Sequence, residues 1–182
     1  MKSLIITLLC SFCLSTTNAQ SYFRQCGIQL LTKQNGLSNN TLTGIYQDKV
    51  GFLWLGTDVG LSRYDGIHFH NYNLIDKEPR ALAHLYETSN NLLWSHIANL
   101  NQIACFDKMR GIYMPLISPT PEVLKDIQDI CVLQDKLYAL TSNVIVELKM
   151  EKNADEIRLT AQPLIDIKTK VLRLYNLSLI HI

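Results

Sequence analysis

Short apolar runs separated by turns that contain Asp or Gly dominate residues 41–73. The runs read TLTGIYQ, FLWLGT, LSRY and IHFHNYN, and the turns between them read DKVG, DVG and DG. Asp and Gly tolerate the backbone angles that tight hairpins require. The pattern therefore predicts four short strands joined by hairpins, which is one blade of a β-propeller.

The same order of runs and turns returns twice, with lower fidelity. Trp54 and Trp94 are forty residues apart, and Tyr64-Asp65 corresponds to Phe106-Asp107. In a third copy, Leu137-Tyr138 takes the place of the leucine–tryptophan step. A repeat of about 40–45 residues with four strands per unit is the period of propellers.

The apolar runs FLWL and LLW are continuous rather than alternating. Apolar and polar residues alternate along a strand that has one solvent-exposed face, whereas a strand buried on both faces can be apolar throughout. Each blade of a propeller lies between two neighbours, so Trp54 and Trp94 are predicted to anchor the packing between blades. The alternative for either tryptophan is to stack against a ligand.

The predicted fold class is all-β: an incomplete β-propeller of four-stranded blades, about three blades of a larger ring, preceded by a signal peptide. The predicted segments are a signal peptide (1–19), an N-terminal strand that would close the ring (20–34), blade 1 (35–74), blade 2 (75–119), blade 3 (120–165) and the start of a truncated blade 4 (166–182). Because three blades cannot close a ring of four to eight, we expect the chain to be an N-terminal fragment. The last six residues, LSLIHI, match a peptide encoded by a sequencing-library transposon end, so genuine sequence is expected to end near Leu177.

The first twenty residues have the three parts of a secretory signal peptide. A positively charged start precedes an apolar run of about eleven residues and the small-residue stretch STTNAQ, which favours cleavage after Ala19. The run is too short to span a membrane. Lipidation at Cys10 or Cys13 is disfavoured because a large residue precedes each cysteine. We expect an exported product without a membrane span in this segment, and the net charge of +1 gives no reason to expect a nucleic-acid partner.

Three cysteines follow the predicted cleavage site: Cys26, Cys105 and Cys131. An odd count without CxxC spacing argues against a disulfide framework and against a zinc site. Buried small hydrophobic residues are the favoured interpretation, and one bridge with one free thiol is the alternative.

Few residues are candidates for chemistry. His68 and His70 alternate along a strand and could share a metal, but exposed histidines on an outer strand are the favoured interpretation. Asp48, Asp58 and Asp65 recur in turns, where Asp has a turn-forming role already, whereas a glycosidase would need two convergent carboxylates. The sequence predicts no catalytic residue, no metal site and no cofactor, and ligand-binding residues cannot be chosen.

Residues 36–69 resemble the regulator-propeller repeat of hybrid two-component sensors. The matching positions are Gly36-Leu37-Ser38, Ile45, Gln47-Asp48, Gly51, Leu53-Trp54, Gly56-Thr57, Gly60-Leu61, Arg63-Tyr64-Asp65-Gly66 and Phe69.

The second and third copies depart from this signature. Ser95-His96 is taken to replace Gly56-Thr57, and Cys105-Phe106-Asp107 to replace Arg63-Tyr64-Asp65.

The resemblance implies a role in signalling. In that family, two periplasmic propellers and a β-sandwich precede a membrane helix, a histidine kinase and, often, receiver and AraC-type DNA-binding domains. The propellers sense glycan breakdown products and control polysaccharide-utilisation genes. We therefore expect a non-enzymatic periplasmic sensor with an oligosaccharide ligand, homodimeric in a full-length receptor anchored in the inner membrane. The alternatives are a secreted propeller enzyme acting on glycans (a lyase or hydrolase) and a non-catalytic interaction scaffold.

Overall fold

The computed structural model describes residues 28–73 and 81–166, except for the side chains of Val123 and Asp166. The predicted signal peptide, Cys26, nearly all of the predicted blade 4 and the LSLIHI end lie outside the described residues. Among the described residues, 28–31 and 32–166 belong to different compact units. No helix in the described part of the chain is long and apolar enough to cross a membrane.

Three β-sheets follow one another along the second unit. The first sheet contains β1 (Leu42–Gln47), β2 (Leu53–Thr57), β3 (Gly60–Tyr64) and β4 (Phe69–Asn73). The second contains β5 (Leu82–Thr88), β6 (Leu92–Ile97), β7 (Gln102–Asp107) and β8 (Ile112–Tyr113). The third contains β9 (Leu116–Ile117), β10 (Asp129–Leu133), β11 (Lys136–Leu140), β12 (Val144–Lys152) and β13 (Ile157–Asp166).

Consecutive strands within each sheet pair antiparallel in chain order, apart from β9. This arrangement confirms the predicted all-β fold of four-stranded blades. It arises because each hairpin turn carries a residue suited to it: Gly51 and Gly66 adopt φ angles of 102° and 99°, which a side chain rarely tolerates.

Three short elements differ from the prediction. Leu116–Ile117 leaves the second sheet and pairs in parallel with β13 at the edge of the third. A single helical turn, α1 (Pro121–Leu124), precedes β10 where only strands were predicted; Pro121 starts it because proline lacks the N–H that a first helical turn leaves unpaired. Within the predicted strand 20–34, residues 28–34 contain no strand, and a 3-10 helix spans Lys33–Asn35.

The Gly36-Leu37-Ser38 opening covers part of the first sheet. Gly36 ends the 3-10 helix in the left-handed conformation, with φ 102°. Leu37 is buried next to it. The Ser38 hydroxyl lies 3.1 Å from the Thr57 hydroxyl and accepts a 2.7 Å hydrogen bond from that of Ser62. This part of the family signature therefore fastens the start of the blade to its own β2 and β3.

The sheets stack face to face through two apolar clusters. Trp54 packs with Leu93 and Phe106 in the cluster between the first and second sheets. Trp94 packs with Ile130 and Leu137 in the cluster between the second and third. Both tryptophans are at most 1% exposed, so they lie between successive sheets, as their positions in continuous apolar runs indicated.

The strand register corrects one correspondence between the blades. Leu42 pairs with Thr57, and the equivalent Leu82 pairs with Ile97. His96-Ile97, rather than Ser95-His96, therefore occupies the place of Gly56-Thr57. Gly56 and His96 each stand two residues after the tryptophan of their strand, and this spacing agrees with the register.

The first strand of each sheet contacts the first strand of the next, since β1 packs against β5 and β5 against β10. The strands β1, β5 and β10 run in the same direction. We call the edge where they begin the cavity edge (Leu42, Leu82, Asp129), and the edge where they end the hairpin edge (Gln47, Thr88, Leu133).

Candidate functional site

The two histidines singled out in the sequence lie at the outside of the first sheet. His68 precedes β4 and His70 lies within it, and both are exposed. The His68 Nδ1 atom is 3.9 Å from a carboxylate oxygen of Asp65. Among the described residues, no group of three or more His, Cys, Asp or Glu side chains is arranged to hold a metal ion.

The aspartates of the first blade serve its turns. Asp48 Oδ1 accepts hydrogen bonds from the backbone N–H groups of Val50, Gly51 and Phe52. Asp65 Oδ1 accepts two more at the β3–β4 turn. The hydrogen bonds at Asp48 and Asp65 are those of Asx-type turns.

Cys105 and Cys131 are both buried and unbridged. Burial raises the pKa of both thiols, which disfavours the reactive thiolate. These two cysteines behave as small apolar residues.

The hairpin edge is held together by buried ion pairs between sheets. Asp48 Oδ2 accepts hydrogen bonds from Trp54 Nε1 at 2.9 Å and from Lys108 Nζ at 3.0 Å. Lys108 also lies 2.7 Å from Glu87. Lys152 of the third sheet lies 2.8 Å from Asp107 of the second. In both cases a lysine from one sheet neutralises a buried carboxylate of the sheet before it.

These contacts keep the carboxylates ionised. Burial alone would raise the pKa of Asp48, but hydrogen bonds from Trp54 and Lys108 outweigh it and lower the pKa below its ordinary value. Burial is likewise outweighed at Asp107, where Lys152 and backbone N–H groups lower the pKa. These charges are paired within the fold, so their role at the hairpin edge is to stabilise the packing of neighbouring sheets.

The cavity edge contains a cavity of about 430 Å³ where the three sheets meet. Its lining combines methyl groups with polar side chains from β1, β5, β6, β10 and the residues next to them: Thr43, Ala81, Ala83, His84, His96, Ala98, Gln128 and Asp129.

Irregular strands shape this cavity. The register of β1 shifts between Leu42 and Gly44, and that of β5 shifts between Ala83 and Tyr86. His84 lies in the second irregularity with φ 53°, a left-handed conformation that is uncommon for residues other than glycine. Bulges bend a strand and redirect a side chain, and they are frequent next to functional sites.

His96 joins the second sheet to the third at the cavity wall. Its Nε2 atom lies 2.9 Å from the Ile127 carbonyl oxygen, so Nε2 carries the proton of that hydrogen bond. Burial lowers the pKa of His96 and outweighs the Ile127 hydrogen bond and the charge of Asp129, which raise it. The imidazole is therefore neutral at neutral pH, and its main role is to connect the sheets.

The equivalent junction between the first two sheets uses different residues. Gly56 stands at the position of His96, and a Cβ atom added to it would lie 2.1 Å from the Leu82 carbonyl oxygen. The Thr43 hydroxyl donates a 2.8 Å hydrogen bond to that same carbonyl. Close backbone approach in one junction is thus replaced by a histidine in the next.

The sequence did not single out any residue of this cavity. Thr43, His84 and Gln128 belong to three different repeats and have no motif in common. Aligning the first strands of the blades places Gly44, His84 and Asp129 at one equivalent position, which is the signal that could have found the site.

A family comparison identifies the first blade. Residues 36–59 match the family of the two component regulator propeller. The first blade is therefore similar to a regulator-propeller repeat over these residues. The match covers the Gly36-Leu37-Ser38 opening, Trp54 and Gly56, whose structural roles are described above.

Solved structures share the fold of this chain. The chain is similar to the extracellular domain of a hybrid two-component system from B. thetaiotaomicron, with 23% identity and a TM-score of 0.54 over 66% of this chain and 18% of that one. A second such domain from the same organism gives 19% identity and a TM-score of 0.52 over 81% and 19%. Virginiamycin B lyase from Staphylococcus aureus, solved with Quinupristin, gives 21% identity and a TM-score of 0.53 over 74% and 44%.

These likenesses establish the propeller fold. The chain spans about a fifth of the length of the two extracellular domains and less than half of the lyase. No curated protein sequence matches it.

Proposed function

We propose that this chain is the sensor propeller of a hybrid two-component regulator and that it binds a glycan-derived oligosaccharide in the cavity at the cavity edge. The regulator-propeller repeat at residues 36–59 is the observation that carries the sensor assignment. The cavity supports the ligand class, because it combines hydroxyl, amide, imidazole and carboxylate groups with alanine methyl groups. Sugars present alternating hydroxyl groups and apolar C–H faces, which such a mixed lining can complement.

The wider setting belongs to the same proposal. The chain works in the periplasm as part of a receptor anchored in the inner membrane, and a cytoplasmic histidine kinase transmits the signal. The receptor is a homodimer, and ligand favours one arrangement of the dimer over another, since a ligand with equal affinity for both would shift nothing.

Calorimetric titration of the purified protein with a panel of oligosaccharides tests the sensor proposal. We expect at least one oligosaccharide to bind and to be recovered unchanged after prolonged incubation. A shortened or unsaturated product, detected by mass spectrometry, would instead favour the secreted glycan lyase or hydrolase. Absence of binding across the panel would contradict oligosaccharide sensing.

A further inference from the structure

His84 has a backbone conformation that its position in a strand does not explain. Its φ angle is 53°, in the left-handed region that glycine adopts readily and other residues adopt rarely. Four other non-glycine residues with positive φ occur in the described part of the chain: Asn91, Asn101, Gln134 and Asp135. These four lie in turns between strands, where tight hairpins require such angles. His84 lies within β5, so no turn accounts for its angle.

The strand β5 forms a bulge at this residue. His84 and Leu85 together stand opposite the single residue Ser95 of β6. When the first residue of a bulge is left-handed, that residue is usually glycine. Histidine at this place therefore carries a backbone strain that glycine would not, and strained residues cluster at ligand-binding and other functional sites.

The imidazole of His84 lies at the cavity of the cavity edge. His84 is half-buried and belongs to the cavity lining. Burial is the main cause of the lowered pKa of His96, and the neighbouring imidazole of His84 lowers that pKa further. The two rings therefore lie near each other at the same cavity wall.

The fold already engages some of the polar side chains in this lining. The hydroxyl group of Thr43 donates a hydrogen bond to the Leu82 carbonyl oxygen. The ring of His96 donates one to the Ile127 carbonyl oxygen. Within the part of the chain that the structure describes, the imidazole of His84 forms neither a hydrogen bond nor an ion pair. Its nitrogens are available to a ligand, since one can donate a hydrogen bond and the other can accept one.

We propose that His84 is a ligand-binding residue of this cavity, and that its strained backbone is retained because it places the imidazole against a hydroxyl group of the bound sugar. The inference rests on the proposed sensing of oligosaccharides and assigns one residue to it. A sugar hydroxyl group both donates and accepts hydrogen bonds, so it matches the two ring nitrogens. Stability and ligand affinity oppose each other at this position.

Substitution by glycine separates stability from binding. His84→Gly relieves the strain, so thermal unfolding without ligand should show a midpoint about 2–4 °C higher, as expected for one left-handed residue in a chain of this size. Calorimetry with cellobiose, maltose, lactose and the disaccharides released from chondroitin and heparin measures binding. The sugar that binds the unchanged protein most tightly should bind His84→Gly at least about tenfold more weakly, because the imidazole is lost.

Two further variants serve as controls. Gln134 has a φ angle of 50° in the turn between β10 and β11 and lies outside the cavity lining. Gln134→Gly should therefore raise the midpoint to a similar extent and leave the affinity unchanged. His84→Asn is the conservative variant, since asparagine tolerates the left-handed conformation and keeps a donor and an acceptor. It should bind the sugar more tightly than His84→Gly does.

The outcomes separate the two proposals. If His84→Gly binds the sugar as tightly as the unchanged protein, the role of His84 is overturned and oligosaccharide sensing stands. If His84→Gly unfolds at a lower temperature than the unchanged protein, or does not fold, the strain is not retained for the ligand, and the inference is overturned in the same way. If no disaccharide or longer oligosaccharide binds the unchanged protein, both proposals are overturned.

Discussion

At the scale of single residues, Gly56 of the blade signature allows two neighbouring sheets to approach closely. Gly56 lies where the backbone of β5 passes over β2, and a side chain there would meet the Leu82 carbonyl oxygen at 2.1 Å. Gly44 is less constrained, since its added Cβ would lie 3.2 Å from the same oxygen. The glycine in the family signature is therefore a packing requirement at one position.

We predict that Gly56→Ala lowers the free energy of unfolding by about 3 kcal/mol, the upper range for overpacking a tight core. Gly44→Ala is the matched control and should cost less, because its neighbours need to move by only a few tenths of an ångström. Urea denaturation of both variants measures the difference. Equal losses would contradict the close approach at Gly56.

Individual residues also show what the sequence could and could not reveal. Trp54 and Trp94 were predicted as packing anchors because unbroken apolar runs signal burial on both faces. The cavity residues were missed because Thr43, His84 and Gln128 come together only after the sheets stack. The prediction that Ser95 replaces Gly56 was wrong by one residue, although His96 stands two residues after Trp94 just as Gly56 stands two residues after Trp54.

At the scale of elements, the hairpin edge couples each sheet to the one before it. Lys108 follows β7 and reaches Asp48 at the end of β1, while Lys152 ends β12 and reaches Asp107 at the end of β7. Each lysine follows or ends the third strand of its antiparallel set, which is β7 in β5–β8 and β12 in β10–β13. The strands themselves were predictable from turn residues and apolar runs, but β9 was not, because its two-residue parallel pairing with β13 depends on a distant segment.

We predict that the ion pairs at the hairpin edge stabilise the fold less at low pH. Asp48 and Asp107 have folded-state pKa values below their ordinary value of 3.8. Their contribution to stability is therefore present above pH 3.8 and is lost as the pH falls through the lower folded-state values. The free energy of unfolding, measured by denaturant at a series of pH values, should fall steeply below pH 3.8.

Substitution tests the origin of that loss. Asp107→Asn should lower the free energy of unfolding at pH 7 by about 1–3 kcal/mol, as expected for a hydrogen bond to a charged group. It should also make the fall of that free energy below pH 3.8 less steep. Asp155→Asn, on an exposed carboxylate, should change neither quantity. If the free energy of unfolding of Asp107→Asn falls below pH 3.8 as steeply as that of the unchanged protein, the ion pair between Lys152 and Asp107 does not stabilise the fold.

At the scale of the whole molecule, the repeat explains why the sheets stack. Leu82 and Leu85 of β5 are at most 5% exposed because they pack against the first sheet, whereas their equivalents Leu42 and Ile45 of β1 are 50% and 66% exposed. The same strand thus presents an apolar face in each repeat, and that face is buried where a preceding sheet covers it. Stacking sheets in this way brings the starts of the first strands together and creates the cavity that we propose for the ligand.

The stacking of successive sheets is tested most directly by a double-mutant cycle across the first junction. Trp54 and Phe106 belong to different sheets, and their ring centroids are 5.6 Å apart. Trp54→Leu and Phe106→Leu should show a coupling free energy of about 0.5–1.5 kcal/mol in denaturant unfolding. Trp54→Leu with Leu137→Ala, a residue of the other cluster, should be additive. Additivity of the Trp54 and Phe106 substitutions would contradict the stacked blades.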